Sequence, residues 1–235
     1  MIIEGAISVK AAIQNHKRDI NLIYISQNKK TKDFNYIRKI AKQNDIKIVE
    51  CDNTKLEQLA TGKSFGGIVA EVSDRKYDEF DDADIFYLDG IEDPFNLGYA
   101  MRTLYAFGVK NVLLSSRDYS KMEAQLLKSS AGAYDMLNIK IIDDEIKQID
   151  DYKNNGYYIY GLYRGDNSKD IFDVQFNQKS LFMLGGEKRG ISSELLEKCD
   201  EHLYISYGAD FRNSLNACGA LDVVATLLYV QRRKW

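Results

Sequence analysis

The chain is poor in the residues that usually announce a function by composition. It has one proline and three cysteines, and no apolar run approaches the roughly 20 residues that a membrane-crossing helix needs. Cys51, Cys199 and Cys218 are too few and too widely spaced for a metal motif or a disulfide framework. The first residues, Met1 to Asp19, lack the basic start and apolar centre of a signal peptide. The expectation is a soluble, reduced, cytoplasmic protein with no membrane partner and no bound metal. Two nucleotide-binding fingerprints are also missing. No GxGxxG occurs, and the glycines at 185–190 are not followed by the Lys-Ser/Thr pair of a phosphate-cradling loop. No internal repeat or low-complexity tract is visible.

What is present is an ordinary globular content, 45% hydrophobic, with a small net charge of −3. The charge is unevenly spread. Residues 1–80 carry 14 Lys/Arg against 11 Asp/Glu, whereas residues 81–235 carry 18 against 24. Within 10–47 the imbalance is sharpest, with 10 basic and 3 acidic residues. Lys17, Arg18, Lys29, Lys30 and Lys32 stand in this segment. A basic part on an acidic body is the footprint expected for a polyanion such as RNA, although a solvated lysine-rich face would look the same.

Helical and extended patterns alternate through two segments. Helices are expected at 8–15, 33–44 and 55–61, with strands at 21–26, 46–50 and 67–72. A charged stretch at 73–82 then reads as a linker, which divides the chain into residues 1–75, a linker over 76–83, and residues 84–235. In the second part, strands at 85–88, 111–114, 137–142, 157–162, 180–184 and 202–206 alternate with helices. The last helix runs from about Ser214 to Arg232, with Leu221, Val224, Ala225 and Leu228 as its apolar stripe. Short apolar strands between helices predict an α/β fold with a mainly parallel sheet covered on both faces.

Open parallel sheets bind ligands beyond the carboxyl ends of their strands. Three strand ends here carry polar, glycine-containing sequence. The first, Asp89–Arg102, holds the only proline, Pro94, before a helix that Asn96 is placed to cap. On that helix Arg102 lies about 140° around from Leu97, away from the buried stripe. The second, Leu184–Ser192, contains Gly185, Gly186 and Gly190, which allow a ligand to approach the backbone closely. The third, Ile205–Ala220, runs into the last helix through Ser214, Leu215 and Asn216, which are good helix-start residues.

In this order the three segments resemble the signature motifs of the SpoU (TrmH-like) family of RNA 2′-O-methyltransferases. The first matches as IEDPFNLGYAMRTLYAFGVKNVLL, the second as LGGEKRGIS and the third as SLNACGALDVVATLLY. Between them, Lys128-Ser129-Ser130-Ala131-Gly132-Ala133 looks like the family's Lys-x-Ser-x-Gly-Ala segment. The N-terminal 75 residues resemble its ribosomal-protein-like substrate-binding extension. The chain departs from the family at Ile205-Ser206-Tyr207, where Ile-Pro-Met is common, and at Cys218, where serine is common.

The resemblance implies a small N-terminal α/β substrate-binding domain and a SPOUT-type methyltransferase domain with a deep trefoil knot. It implies S-adenosylmethionine as cofactor, held by Leu162, Gly185, Gly186, Gly190, Ile205, Leu215 and Asn216. It places Arg102, Asn96, Glu187, Ser214 and Asn216 at the catalytic centre, with Arg102 acting as base or as an electrostatic stabiliser. It further implies a homodimer and a ribosomal RNA substrate. Transfer RNA is the alternative substrate, and a catalytically silent RNA-binding protein of the same fold is the alternative function.

Overall fold

The computed structural model describes residues 1–62, 64–186 and 189–233. The first 72 residues form β1 (Ile2–Glu4), α1 (Ala6–Asn15), β2 (Ile20–Ser26), α2 (Lys32–Gln43), β3 (Ile48–Cys51), α3 (Asn53–Leu59) and β4 (Ile68–Val72). Next come β5 (Ile85–Leu88), α4 (Pro94–Ala106), β6 (Asn111–Ser115), α5 (Glu123–Ser129) and β7 (Asn138–Ile142). The chain continues through α6 (Glu145–Asn154), β8 (Tyr158–Leu162), β9 (Lys169–Asp170) and β10 (Ser180–Leu184). It ends with α7 (Ser193–Lys198), β11 (Glu201–Tyr204) and α8 (Ala217–Arg232).

These elements gather into two compact units. One comprises Met1–Tyr77 with Asp118–Met136, the other Asp78–Arg117 with Leu137 onward. The first unit is built on a mixed sheet of order β1-β4-β2-β3, in which β4 runs antiparallel to both neighbours. The three-residue β1 escapes a periodicity reading because it is too short to show one. Helix α2 begins where Thr31 accepts a hydrogen bond from the Phe34 N–H at 3.2 Å, and it buries Phe34, Ile37, Ile40 and Ala41. That spacing is the apolar stripe of an amphipathic helix.

The segment 118–136 belongs to this unit by its contacts. Lys128 donates to the Ser64 carbonyl at 3.0 Å and pairs with Glu4 at 3.6 Å. Gly132 lies so close to α1 that an added Cβ would sit 2.7 Å from the Ala11 Cβ. Arg18, expected among the RNA-contacting cations, is instead 3% exposed. Its guanidinium makes paired bonds of 2.9 Å to Asp135 and a 3.0 Å bond to Glu123. A cation fully engaged by two buried carboxylates is not available to a phosphate, so Arg18 leaves the candidate RNA surface.

The second unit is a seven-stranded sheet of order β7-β6-β5-β10-β8-β11-β9, parallel throughout. Strand β10 therefore lies between β5 and β8, both of which precede it in the chain. The strands IFYL and SLFML are buried at every position, as a sheet covered on both faces requires. Ile85, Tyr87, Leu181 and Met183 pack with Ile149 of α6 and Leu195 of α7. On alternate positions Phe86 and Phe182 meet at 5.1 Å, and Tyr160 stacks on Phe182 at 5.2 Å. The buried stripe of α8, Leu221, Val224, Ala225 and Leu228, is the one the sequence predicts.

The stretch expected as a linker is pinned at this unit. Asp78 exchanges two hydrogen bonds with Ile139, each 3.1 Å, and Asp81 accepts from the Asn111 amide at 2.7 Å. Helix α4 starts earlier than an Asn96 cap would allow. Asp93 is the cap, accepting from the Asn96 N–H at 2.8 Å. Pro94 then takes the first helical position, where a missing N–H leaves no bond unmade. No helix among the described residues is long and apolar enough to cross a membrane.

Candidate active site

All three motif segments converge at the carboxyl edge of the parallel sheet. Leu88 of β5 and Leu184 of β10 are in register, and the Asp89 N–H continues the pairing with a 2.9 Å bond to the Leu184 carbonyl. Beyond this point the glycines of the second motif are sterically required. A Cβ on Gly186 would collide with the Gly90 carbonyl, and one on Gly185 with the backbone of Gly190 and Ile191. Gly190 closes the loop by donating to the Gly186 carbonyl at 2.9 Å. Backbone from the first and second motifs is thus packed against itself with no room for side chains.

The third motif joins them through α8. Asn216 caps this helix, its side-chain oxygen accepting from the Gly219 N–H at 2.8 Å. The helix therefore begins at Ala217 rather than at Ser214. The Cys218 thiol donates to the Asn96 carbonyl at 3.2 Å, fastening the start of α8 to the first turn of α4. One turn along, the Tyr99 hydroxyl donates to Asp222 at 3.0 Å. That carboxylate holds the Tyr99 hydroxyl above its ordinary pKa.

Between these loops lies a cavity of about 460 Å³. Leu162, Gly185, Gly186, Gly190, Ile205 and Leu215 line it, together with Ser214. Asn216 is not in its wall; its side-chain oxygen caps the helix. Residues that the motifs do not reveal also line it: Tyr163 and Arg164 after β8, Tyr204 and Tyr207 at and after the end of β11, and Arg212. Their only sequence signal is position, just past strand ends. The charged groups in the lining are the two arginines; among the described residues no carboxylate lines it.

Arg102 is exposed on α4 and makes no hydrogen bond or ion pair with any of the described residues. Asn96, half-buried, stands in the first turn of the same helix. Glu187 lies outside the described residues. At the exit of β5, burial and the neighbouring Glu145 push the Asp89 carboxyl above the usual carboxylate range. In the first unit Lys29, Lys30 and Lys32 are exposed and Lys17 is half-buried. Lys29 also donates to the Gly66 carbonyl at 2.8 Å and sits 5.8 Å from the Phe34 ring centre.

Comparison with known proteins gives the same outline. The profile of the SpoU rRNA Methylase family matches residues 84–226, and that of the RNA 2′-O ribose methyltransferase substrate binding domain matches residues 2–78. A protein of Staphylococcus epidermidis assigned to the TrmH family of tRNA/rRNA methyltransferases is 31% identical, over 100% of this chain and 97% of that protein. Two solved structures share the fold at low identity. One, an RNA methyltransferase of the TrmH family from Porphyromonas gingivalis, aligns with a TM-score of 0.82 at 20% identity, covering 99% of this chain and 90% of that one. The other is the SpoU methyltransferase AviRb from Streptomyces viridochromogenes in complex with AdoMet. It aligns with a TM-score of 0.79 at 18% identity, again covering 99% and 90%. The chain belongs to the SpoU rRNA methylase family of RNA methyltransferases.

Proposed function

We propose that this enzyme uses S-adenosylmethionine to methylate a ribose 2′-hydroxyl in ribosomal RNA. The observation that carries the reading is the cavity at the sheet's carboxyl edge, walled by the second and third motif segments and by the loop after β8. Its volume of about 460 Å³ falls in the range of small-molecule sites. Its surface fits the cofactor: glycine backbone for the polar edge of a base, Ile205 and Leu215 for its faces, and Arg164 and Arg212 for a carboxylate. The cofactor, when bound, supplies an electrophilic methyl group.

The protein's task is to make a ribose hydroxyl nucleophilic. Arginine stays protonated near neutral pH, so Arg102 acts by stabilising the negative charge that develops on the hydroxyl oxygen. Asn96 and Glu187 are assigned to the surroundings of Arg102, although Asn96 makes no hydrogen bond to it within this chain; Ser214 and Asn216 are assigned to orienting the ribose and the loop. Titration calorimetry should register binding of S-adenosylhomocysteine without added metal. No heat at millimolar ligand, with the protein folded, would refute the cofactor assignment.

We place the RNA-binding role in residues 1–75, on Lys29, Lys30 and Lys32, with Lys17 alongside. Their exposure and the family match of residues 2–78 support this. Reversing Lys29, Lys30 and Lys32 to glutamate should weaken binding to ribosomal RNA and flatten its salt dependence, because fewer counterions are released. Affinity for S-adenosylhomocysteine should stay within error. Unchanged RNA affinity would return these lysines to a solvated face.

The reading also includes a homodimer and a knotted C-terminal segment. Phe95 and Tyr99 on α4, with Tyr229 and Val230 on α8, are exposed apolar side chains that favour pairing of copies. A monomer in sedimentation at micromolar concentration would remove the dimer. The placement of β10 between β5 and β8 supports the knot. Pulling the ends of the chain would test it, a knotted chain stopping short of its full extended length.

A further inference from the structure

Where the family's Ile-Pro-Met is common, this chain has Ile205-Ser206-Tyr207, and the replacement has contacts of its own. The Leu215 N–H donates to the Tyr207 hydroxyl at 3.1 Å, spanning from the β11 exit to the residue before the α8 cap. The Arg164 guanidinium sits 4.8 Å from the Tyr207 ring centre and 6.0 Å from that of Tyr204. Phe211 packs against Tyr207 at 6.0 Å between ring centres. Arg164, Ile205, Tyr207 and Leu215 all line the cavity.

We propose that Tyr207 is a positioning residue for the cofactor: its hydroxyl and ring join the two ends of the β11–α8 loop and the loop after β8 into one wall of the cavity. A proline would stiffen this loop by fixing its own backbone. Here the same stiffness comes from side-chain bridges. The hydroxyl fixes Leu215, and the ring holds Arg164 by a cation–π contact, keeping the guanidinium at the cavity. Tyr207 itself carries no charge to the reaction. It determines how well the wall is formed before the ligand arrives, so it acts on affinity rather than on the chemical step. This inference rests on the cofactor reading of the cavity.

The test compares wild type with Tyr207→Phe, which deletes only the hydroxyl, and Tyr207→Leu, which also deletes the ring. Calorimetry with S-adenosylhomocysteine should show binding weakened about three- to tenfold by Tyr207→Phe, the worth of one neutral hydrogen bond. Tyr207→Leu should weaken it further. Arg164→Met should weaken binding in both backgrounds, but less in Tyr207→Leu, where the ring no longer holds the guanidinium at the cavity. With total RNA from cells lacking the gene as acceptor, Tyr207→Phe should raise KM for S-adenosylmethionine by the same factor and keep kcat within about twofold. Its melting midpoint should match wild type. If wild type binds S-adenosylhomocysteine and Tyr207→Phe binds it equally well, the positioning role is overturned while the cofactor reading stands. A lowered melting midpoint that accounts for the lost affinity would overturn it equally, making Tyr207 a residue of general stability. Failure of wild type to bind would overturn both.

Discussion

Arg102→Ala is expected to slow methyl transfer roughly 10²–10³-fold, the usual worth of a group that stabilises charge developing on a reacting oxygen. Arg102 is exposed on α4, without a partner among the described residues. A solvated arginine in that position would change stability by no more than about 0.5 kcal/mol when truncated, and activity not at all. The two roles therefore separate cleanly in one variant. The first turn of the same helix holds Asn96, whose carbonyl is tied to Cys218 of α8, so Arg102 is carried by a helix fastened to the third motif. Binding of S-adenosylhomocysteine and the melting midpoint should barely move, since Arg102 makes no hydrogen bond or ion pair among the described residues and does not line the cavity. Arg102→Lys keeps the charge but loses the planar, multi-donor fork, and should be nearly as damaging. The measurement is single-turnover transfer of labelled methyl to ribosomal RNA at saturating cofactor. A wild-type rate in Arg102→Ala would remove it from the catalytic centre.

Asp135→Ala should be the most destabilising single change in the first unit, by about 3–5 kcal/mol. The Asp135 side chain is fully buried, as is that of Arg18, and the two make paired 2.9 Å bonds. Arg75, also buried, stands 3.8 Å from Asp135 Oδ1, which also accepts from Arg18, and donates to the Tyr134 carbonyl at 3.3 Å. Glu123 completes the set at 3.0 Å from Arg18. Burial alone would lower the Arg18 pKa, but Asp135 and Glu123 outweigh it and hold the pKa above the ordinary value. Removing Asp135 leaves two guanidinium groups in a dry interior with one carboxylate between them. Against a typical stability of about 5–15 kcal/mol, that loss is large. Replacing both partners, Arg18→Met with Asp135→Leu, should be milder, because a cation leaves with the carboxylate and the buried Arg75 and Glu123 that remain balance in charge. Urea unfolding followed by circular dichroism would compare the variants. A loss below about 1 kcal/mol in Asp135→Ala would mean that water reaches the cluster and screens it.

Much of the site is legible in short stretches of sequence. Gly185, Gly186 and Gly190 stand out because few sequences place three glycines after an apolar strand, and the backbone crowding there is the reason for them. Pro94 marks the start of α4 because only the first turn tolerates it. The parallel sheet is legible in its uniformly apolar strands, and the α8 stripe in its spacing. Local chemistry of this kind is written in neighbouring residues.

Other features depend on residues far apart in the chain, and only the tertiary structure decided them. Arg18 reads as one more surface cation until Asp135 and Glu123, 117 and 105 positions away, are seen around it. Segment 118–136 lies in sequence between β6 and β7, yet its buried carboxylates and Gly132 commit it to the unit built on the first 77 residues. Asn96 and Asp93 are both good caps, and the choice between them fell to Pro94, which sets the first helical position. Arg164 carries no motif at all, and Tyr207 shows only as a departure from one. What the sequence determined by itself was the set of elements and the glycine-dependent loops, because backbone sterics and periodicity act within a few residues. Which charges are buried, and which side chains share the cavity wall, was decided by folding, because burial and ion pairing depend on distance in space.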